Sequence, residues 1–184
     1  MNNGSIAGNG FRLSVITERL LRVEVERGNR FVDMPTQRVM ERHFAQPSFT
    51  VEENGGLLKI KTGRAAFIFD KAKLRVQKVT LEDGREIRRF NRGNLRGTRR
   101  TLDGINGRVP LSKGLISRNG VAVLDDSGSL LLGEGGEILP TESVGKDLYY
   151  FAYGHDYKSC IQDFFKLSGQ VPLVPRFALG NWWS

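Results

Sequence analysis

Cysteine is almost absent. Cys160 is the single thiol, so no internal disulfide can form, and with only His43 and His155 beside it no Cys/His zinc site of known spacing can be assembled. No hydrophobic run approaches the roughly 18 residues that a membrane-spanning helix needs. The first ten residues, MNNGSIAGNG, lack a basic stretch followed by an apolar core, the mark of a secretory leader. The sequence therefore predicts a soluble chain with a cytoplasmic location, no membrane partner, no structural metal and no cofactor. Internal repeats and low-complexity segments are also missing.

What is present is ordinary globular composition: 39% hydrophobic and 26% charged residues in 184. A chain of that length makes one domain, burying about 70% of its unfolded surface. The net charge of +8 invites a nucleic-acid reading, since excess Lys and Arg draw phosphates by counterion release. Its distribution argues otherwise. Arg85, Arg88, Arg89, Arg92, Arg96, Arg99 and Arg100 crowd one segment, without interleaved aromatics for base stacking or a recognised groove-reading motif. No nucleic-acid partner is expected.

Strand signals dominate the first half. Leu21, Val23 and Val25 alternate with Arg22, Glu24 and Glu26 until Gly28 and Asn29, which predicts a half-buried strand with a polar outer face. Asn54, Gly55 and Gly56 separate Phe49–Val51 from Leu58 and Ile60, the arrangement of a hairpin. Short strands are expected at 66–69, 74–76 and 79–81, with a turn at Asp83 and Gly84, and this spacing is that of an all-β domain. Between Arg85 and Ser117 the periodicity dissolves among glycines and arginines. Loops beyond about 12 to 15 residues in compact domains are commonly functional, and Leu95, Leu102, Ile105, Val109, Leu111, Leu115 and Ile116 are available to anchor this one.

Val121–Leu124 and Leu130–Leu132 read as two central strands joined by a turn over Asp125, Asp126, Ser127 and Gly128. Leu148–Tyr153 reads as an aromatic-rich strand. Asp156 then stands as an N-cap before Tyr157, Cys160, Ile161, Phe164 and Leu167, which recur at helical spacing as far as Gly169. Pro172 and Pro175 bracket a connector into PRFALGNWWS, a continuous apolar run of the kind found in strands covered on both faces. Such a strand needs neighbours, and the chain is expected to be the front part of something longer.

Three stretches carry a resemblance: GNLRGTRRTLDGINGRVPLSKGLISRNG, VLDDS, and DLYYFAYGHDYKSCIQDFFKLSGQVPLVPRFALGNWWS. Together they resemble the N-terminal part of glycoside hydrolase family 31. The resemblance implies an all-β, galactose-mutarotase-like β-sandwich (supersandwich) over residues 1–154, a linker helix and connector over 155–174, and the first strand of a truncated (β/α)8 barrel over 175–184. It further implies a parent enzyme that hydrolyses α-linked sugars by a retaining mechanism, with a carboxylate nucleophile and a carboxyl acid/base about 5 to 5.5 Å apart. In the family both aspartates lie in the barrel, beyond residue 184. The missing barrel and an α-linked oligosaccharide or glycoside are the implied partners, and no catalytic residue is expected here.

The resemblance also implies a loop that borders the sugar site, for which Arg99, Arg100 and Asp103 are the candidates. A carboxylate accepts sugar hydroxyls and a guanidinium donates to ring or hydroxyl oxygens. The plainer reading makes Asp103 a turn residue before Gly104 and leaves the arginines solvated. Trp182 and Trp183 are candidates for stacking on a sugar ring, against a plainer reading as core. Asp125 and Asp126, adjacent on one strand, point to opposite faces and suit a turn better than an acid/base pair. His43 and His155 read as structural, and Cys160 as an inert face residue. An alternative is a stand-alone carbohydrate-binding sandwich, for which Tyr149, Tyr150 and Tyr153 form the only aromatic cluster.

Overall fold

The computed structural model describes residues 4–97, 103–141, 145–170 and 173–180. Two antiparallel five-stranded sheets form the body. The first contains β1 (Ser5–Gly8), β2 (Phe11–Thr17), β3 (Leu20–Val25), β9 (Ala122–Asp125) and β12 (Lys146–Phe151), in the order β1-β2-β3-β12-β9. The second is a meander of β4 (Phe49–Asn54), β5 (Leu57–Thr62), β6 (Ala66–Asp70), β7 (Arg75–Thr80) and β8 (Glu86–Ile87). β10 (Leu131–Leu132) and β11 (Ile138–Leu139) form a separate two-stranded ribbon. One helix, α1 (Tyr157–Ser168), follows β12.

Period-two alternation decides what lies between the sheets. Phe11, Leu13 and Val15 of β2 and Leu21 and Val23 of β3 point inward to meet Ile60, Phe67, Phe69 and Val79 of the meander. Phe11 and Phe69 pack at a tilt of 45° with ring centres 4.9 Å apart. Residues buried to this degree contribute roughly 1.5 to 3 kcal/mol each. The expected hairpin at 54–56 is present, with Gly55 and Gly56 at φ +56° and +79°. The 74–76 and 79–81 segments fuse into the single strand β7, its register shifted once by a bulge opposite Ile68 and Phe69.

The outer face of the first sheet departs from expectation. Leu20, Arg22 and Glu24 are all buried, so β3 is covered on both sides and its polar residues are not solvated. The chain from 27 to 44 and helix α1 lie over this face, where Ile16, Leu20, Val39, Tyr149, Phe151, Tyr153, Cys160 and Leu167 form a second core. The molecule is thus three layers: meander, first sheet, and a cover of helix and loop. The Cys160 thiol is pushed up to about 12 by burial, which keeps it protonated and unreactive.

Two further expectations are corrected. Val121–Leu124 and Leu130–Leu132 are not a central hairpin: β9 is an edge strand paired to β12, while β10 pairs with β11. Where the chain leaves the sheet, the Asp126 side chain turns inward and accepts from Thr36 Oγ1 at 2.8 Å, a contact that a strand-and-turn pattern does not signal. At Arg176–Leu179 the expected strand is a 3-10 turn, with Ala178 N donating to Pro175 O and Phe177 83% exposed. Among the described residues no strand pairs with this segment, and backbone without a ladder partner satisfies itself locally.

Helix α1 starts where the sequence places it. The Asp156 carboxylate accepts from Ser159 N at 3.3 Å and from Arg19 Nη1 at 2.9 Å, and these bonds to Ser159 and Arg19 hold its carboxyl at about 2. A depressed carboxylate contributes stability above its unfolded value near pH 4 and loses it as pH falls through the folded value. Asparagine caps as well as aspartate, so Asp156→Asn removes the charge and keeps the cap. The difference in urea midpoint between the two proteins should be constant from about pH 5 to 7 and close towards pH 2.

Candidate functional site

The excursion between β8 and β9 is a built arm. Asn91 N donates to Val121 O at 3.2 Å and Asn91 Oδ1 accepts from Val123 N at 2.9 Å, tying the outgoing and returning strands together at the sandwich. Further out, Arg118 N donates to Gly93 O, Leu95 N to Ile116 O and Gly97 N to Ser112 O, each at 2.9 Å. Asn94 spans both sides, its amide donating to Gly114 O at 2.8 Å and its carbonyl accepting from Gly114 N at 2.7 Å. Of the expected anchors, Leu115 and Ile116 pack on the second core. Leu95, Ile105 and Leu111 are exposed.

The arm closes tightly at Gly114, where a Cβ would stand 2.4 Å from Leu95 O and 3.2 Å from Gly97 N. Backbone cannot yield there as a flexible side chain does. Gly114→Ala should therefore open the arm while leaving the sandwich folded. The expected outcome is faster tryptic cleavage after Arg96 and Lys113, with a melting temperature within a few degrees of the parent.

Asp103 lies on the exposed far part of this arm, immediately before Gly104 at φ +67°. Arg99, Arg100, Trp182 and Trp183 fall outside the described residues. The arm thus presents one carboxylate and several guanidinium groups to solvent, a set that exchanges hydrogen bonds with polyhydroxyl or anionic groups.

Asp125 and Asp126 do not form a catalytic pair. Asp125 is exposed and caps the turn by accepting from Ser127 N at 3.0 Å, while Asp126 is 2% exposed and burial raises its carboxyl. His155 Nε2 lies 2.9 Å from Arg118 O and its ring stands edge-on to Tyr157. His43 is exposed beside Glu41, at 2.6 Å. Tyr149, Tyr150 and Tyr153 are buried and offer no platform for a sugar ring. Burial pushes the Tyr150 phenol up to about 12.

Two features escaped sequence reasoning. One is a cleft of about 720 Å3 at one end of the sandwich, between the 17–19 turn, residues 41–47 and the end of α1, where Glu18, His43, Phe44 and Phe165 line the wall. Its Asp163 is already engaged, accepting from Tyr153 OH at 2.6 Å and from Lys166 Nζ at 3.1 Å.

The other is the ionic network on the covered face of the first sheet. Arg22 binds Asp147 through Nε at 2.9 Å and Nη2 at 2.6 Å, and donates to Val32 O at 2.7 Å. Burial works to lower the Arg22 guanidinium, but the Asp147 bonds outweigh it and the value is raised. Glu24 accepts from Arg12 at 2.6 and 2.9 Å and from Val32 N at 3.1 Å. Arg42 Nε donates to Tyr149 OH at 2.9 Å. These groups come from four separate segments, and a period-two pattern alone cannot tell a buried ion pair from a solvated one. Among the described residues no three His, Cys, Asp or Glu side chains gather as a metal-holding cluster, and no helix is long and apolar enough to cross a membrane.

No protein-family model matches the sequence, and no curated protein matches it. Solved structures do. A GH31 dextranase from Flavobacterium johnsoniae complexed with glucose is 21% identical, with a TM-score of 0.51. A mutant of that dextranase complexed with isomaltotriose is 20% identical, with a TM-score of 0.50. In each case the match covers 97% of this chain and 27% of the dextranase chain. The likeness establishes a shared fold, and this chain spans about a quarter of the length of those enzymes.

Proposed function

We propose that this chain is the N-terminal, non-catalytic β-sandwich domain of a family 31 glycoside hydrolase. Residues 1–154 serve as the sandwich, 155–174 as helix and connector, and 175–184 as the start of the catalytic barrel. The observation that carries this reading is the fold shared with the dextranase structures over 97% of the chain, joined to the YGHDY, helix and ALGNWWS succession in the sequence. In the parent enzyme, α-linked glycosidic bonds are hydrolysed with retention by carboxylates of the barrel, and this domain supports the barrel. Its arm, with Asp103 and the neighbouring Arg99 and Arg100, borders the substrate cleft. Trp182 and Trp183 are residues that the parent's barrel would enclose, and the exposed Leu173, Phe177 and Leu179 supply apolar surface for that enclosure.

The test is calorimetric titration of the 184-residue chain with isomaltotriose and maltotriose, alongside an assay for glucose release. No release and no saturable heat at millimolar sugar are expected. Saturable binding in that range would instead favour a stand-alone carbohydrate module, and hydrolysis by the isolated chain would refute the reading. Reading the coding sequence downstream supplies the complementary check: a frame of alternating strands and helices with an aspartate at a barrel strand end.

A further inference from the structure

The 34 residues from Arg85 to Arg118 contain ten basic and two acidic side chains, a net of +8, which is the net charge of the entire chain. The other 150 residues are therefore neutral as a group. All of the protein's excess charge sits on the arm and its base.

The arm's hydrogen bonds hold these cations together. Gly93 and Arg118 are so close that a Cβ on Gly93 would touch the Arg118 Cβ at 3.2 Å, so the chain at Arg92, one residue before Gly93, runs next to Arg118. Arg96 Nη1 donates to Leu111 O at 3.0 Å, and Gly97 N bonds Ser112 O, which sets Arg96 beside Lys113. Asn119 Nδ2 donates to Arg89 O at 2.8 Å, bringing Arg89 to the same base. Arg89, Arg92, Arg96, Arg108, Lys113 and Arg118 are all exposed. Among the described residues none of these six has a carboxylate within 4.0 Å. The meander is different, since its Lys59, Lys71, Lys73 and Lys78 each have one.

Like charges fixed in proximity repel, and that repulsion is relieved by a polyanion whose counterions are released on binding. We propose that the arm is a docking surface for an anionic polysaccharide, one carrying sulfate or carboxylate groups along a sugar backbone. Nucleic acid fits less well. Phe90 is the one aromatic residue between Arg85 and Arg118, and it is turned inward, edge-on to Tyr150 with ring centres 5.3 Å apart, so the arm has no ring on which a base can stack. The electrostatic surface stands by itself; that the polyanion is a sugar polymer rests on the proposed function.

The experiment uses dextran sulfate, neutral dextran of the same length and a DNA duplex at equal anion concentration, each measured from 50 to 200 mM salt. Two variants are compared. One replaces Arg89, Arg92, Lys113 and Arg118 with Gln; the other replaces Lys59, Lys61, Lys71 and Lys73 with Gln, removing the same charge from the meander. Dextran sulfate should bind, losing roughly hundredfold in affinity over that salt range, while dextran should not bind. The arm variant should bind at least tenfold more weakly with an unchanged melting temperature, and the meander variant should stay within about threefold of the parent, the residual effect of net charge alone. Absent binding, equal losses in both variants, or binding of dextran at parity would overturn the docking surface. Tighter binding to DNA would overturn the polysaccharide assignment, leaving the hydrolase reading to be judged by its own titration and assay.

Discussion

Replacing Arg22 with methionine should lower the unfolding free energy by about 3–5 kcal/mol, the cost of breaking a buried pair and leaving one charge behind. Arg22 is 3% exposed and bonds at once to Asp147 and Val32 O, with Glu24 at 3.1 Å. Methionine matches its length but strands Asp147 and frees the carbonyl of Val32. The segment after β3 is thereby loosened from the sheet it covers. The check is urea unfolding, where the midpoint should fall by roughly 1.5–2.5 M. A double variant, Arg22→Met with Asp147→Leu, separates charge from shape. Glu24 keeps Arg12 as a partner, so removing both members of the other pair should recover about half or more of the loss. A double variant no more stable than Arg22→Met alone would show that packing, not the stranded carboxylate, carries the effect.

The second large effect is expected at Gly120, which closes the arm onto the end of β12. Its φ is +90°, and an added Cβ would lie 2.7 Å from Gly154 Cα and 2.9 Å from Leu81 Cδ1. Gly120 O also accepts from Gly154 N at 3.0 Å, so the two backbones cannot part without losing that bond. Gly120→Ala combines left-handed strain with a backbone collision, and about 2–4 kcal/mol should be lost. Gly154 is the internal control. Its φ is +58°, but a Cβ there meets nothing nearer than Arg85 Nη2 at 3.9 Å. Gly154→Asn should therefore cost about 1 kcal/mol or less, since asparagine tolerates this conformation. Equal losses at the two positions would mean that dihedral strain alone matters.

Much of the fold was legible in the sequence because its signals are local. The Asn54, Gly55, Gly56 hairpin, the alternation in β2 and β3, and the Asp156 cap with its 3.6-residue apolar stripe each specify an element within a dozen residues. The candidate site was only partly legible. The glycine-rich arginine segment marked the arm, yet the ladder of Asn94, Leu95 and Gly97 with Ser112, Gly114 and Ile116 has no periodicity to betray it. Three of the expected hydrophobic anchors, Leu95, Ile105 and Leu111, are exposed, because backbone hydrogen bonds hold the arm's base where apolar burial was expected. At Asp126 a residue read as part of a turn proved to be a buried acceptor for Thr36, 90 positions away, a contact that local pattern cannot announce.

The sequence alone determined that this is a strand-rich chain with a single cysteine, one capped helix and one basic segment, since composition, turn chemistry and short-range periodicity are properties of neighbouring residues. Only the tertiary structure decided that the polar face of β3 is an interior, that β9 lies at an edge, and that the cations of the arm are held together. Those outcomes depend on groups far apart in the chain meeting in space, where burial, and not residue type, sets whether a charge is solvated or paired.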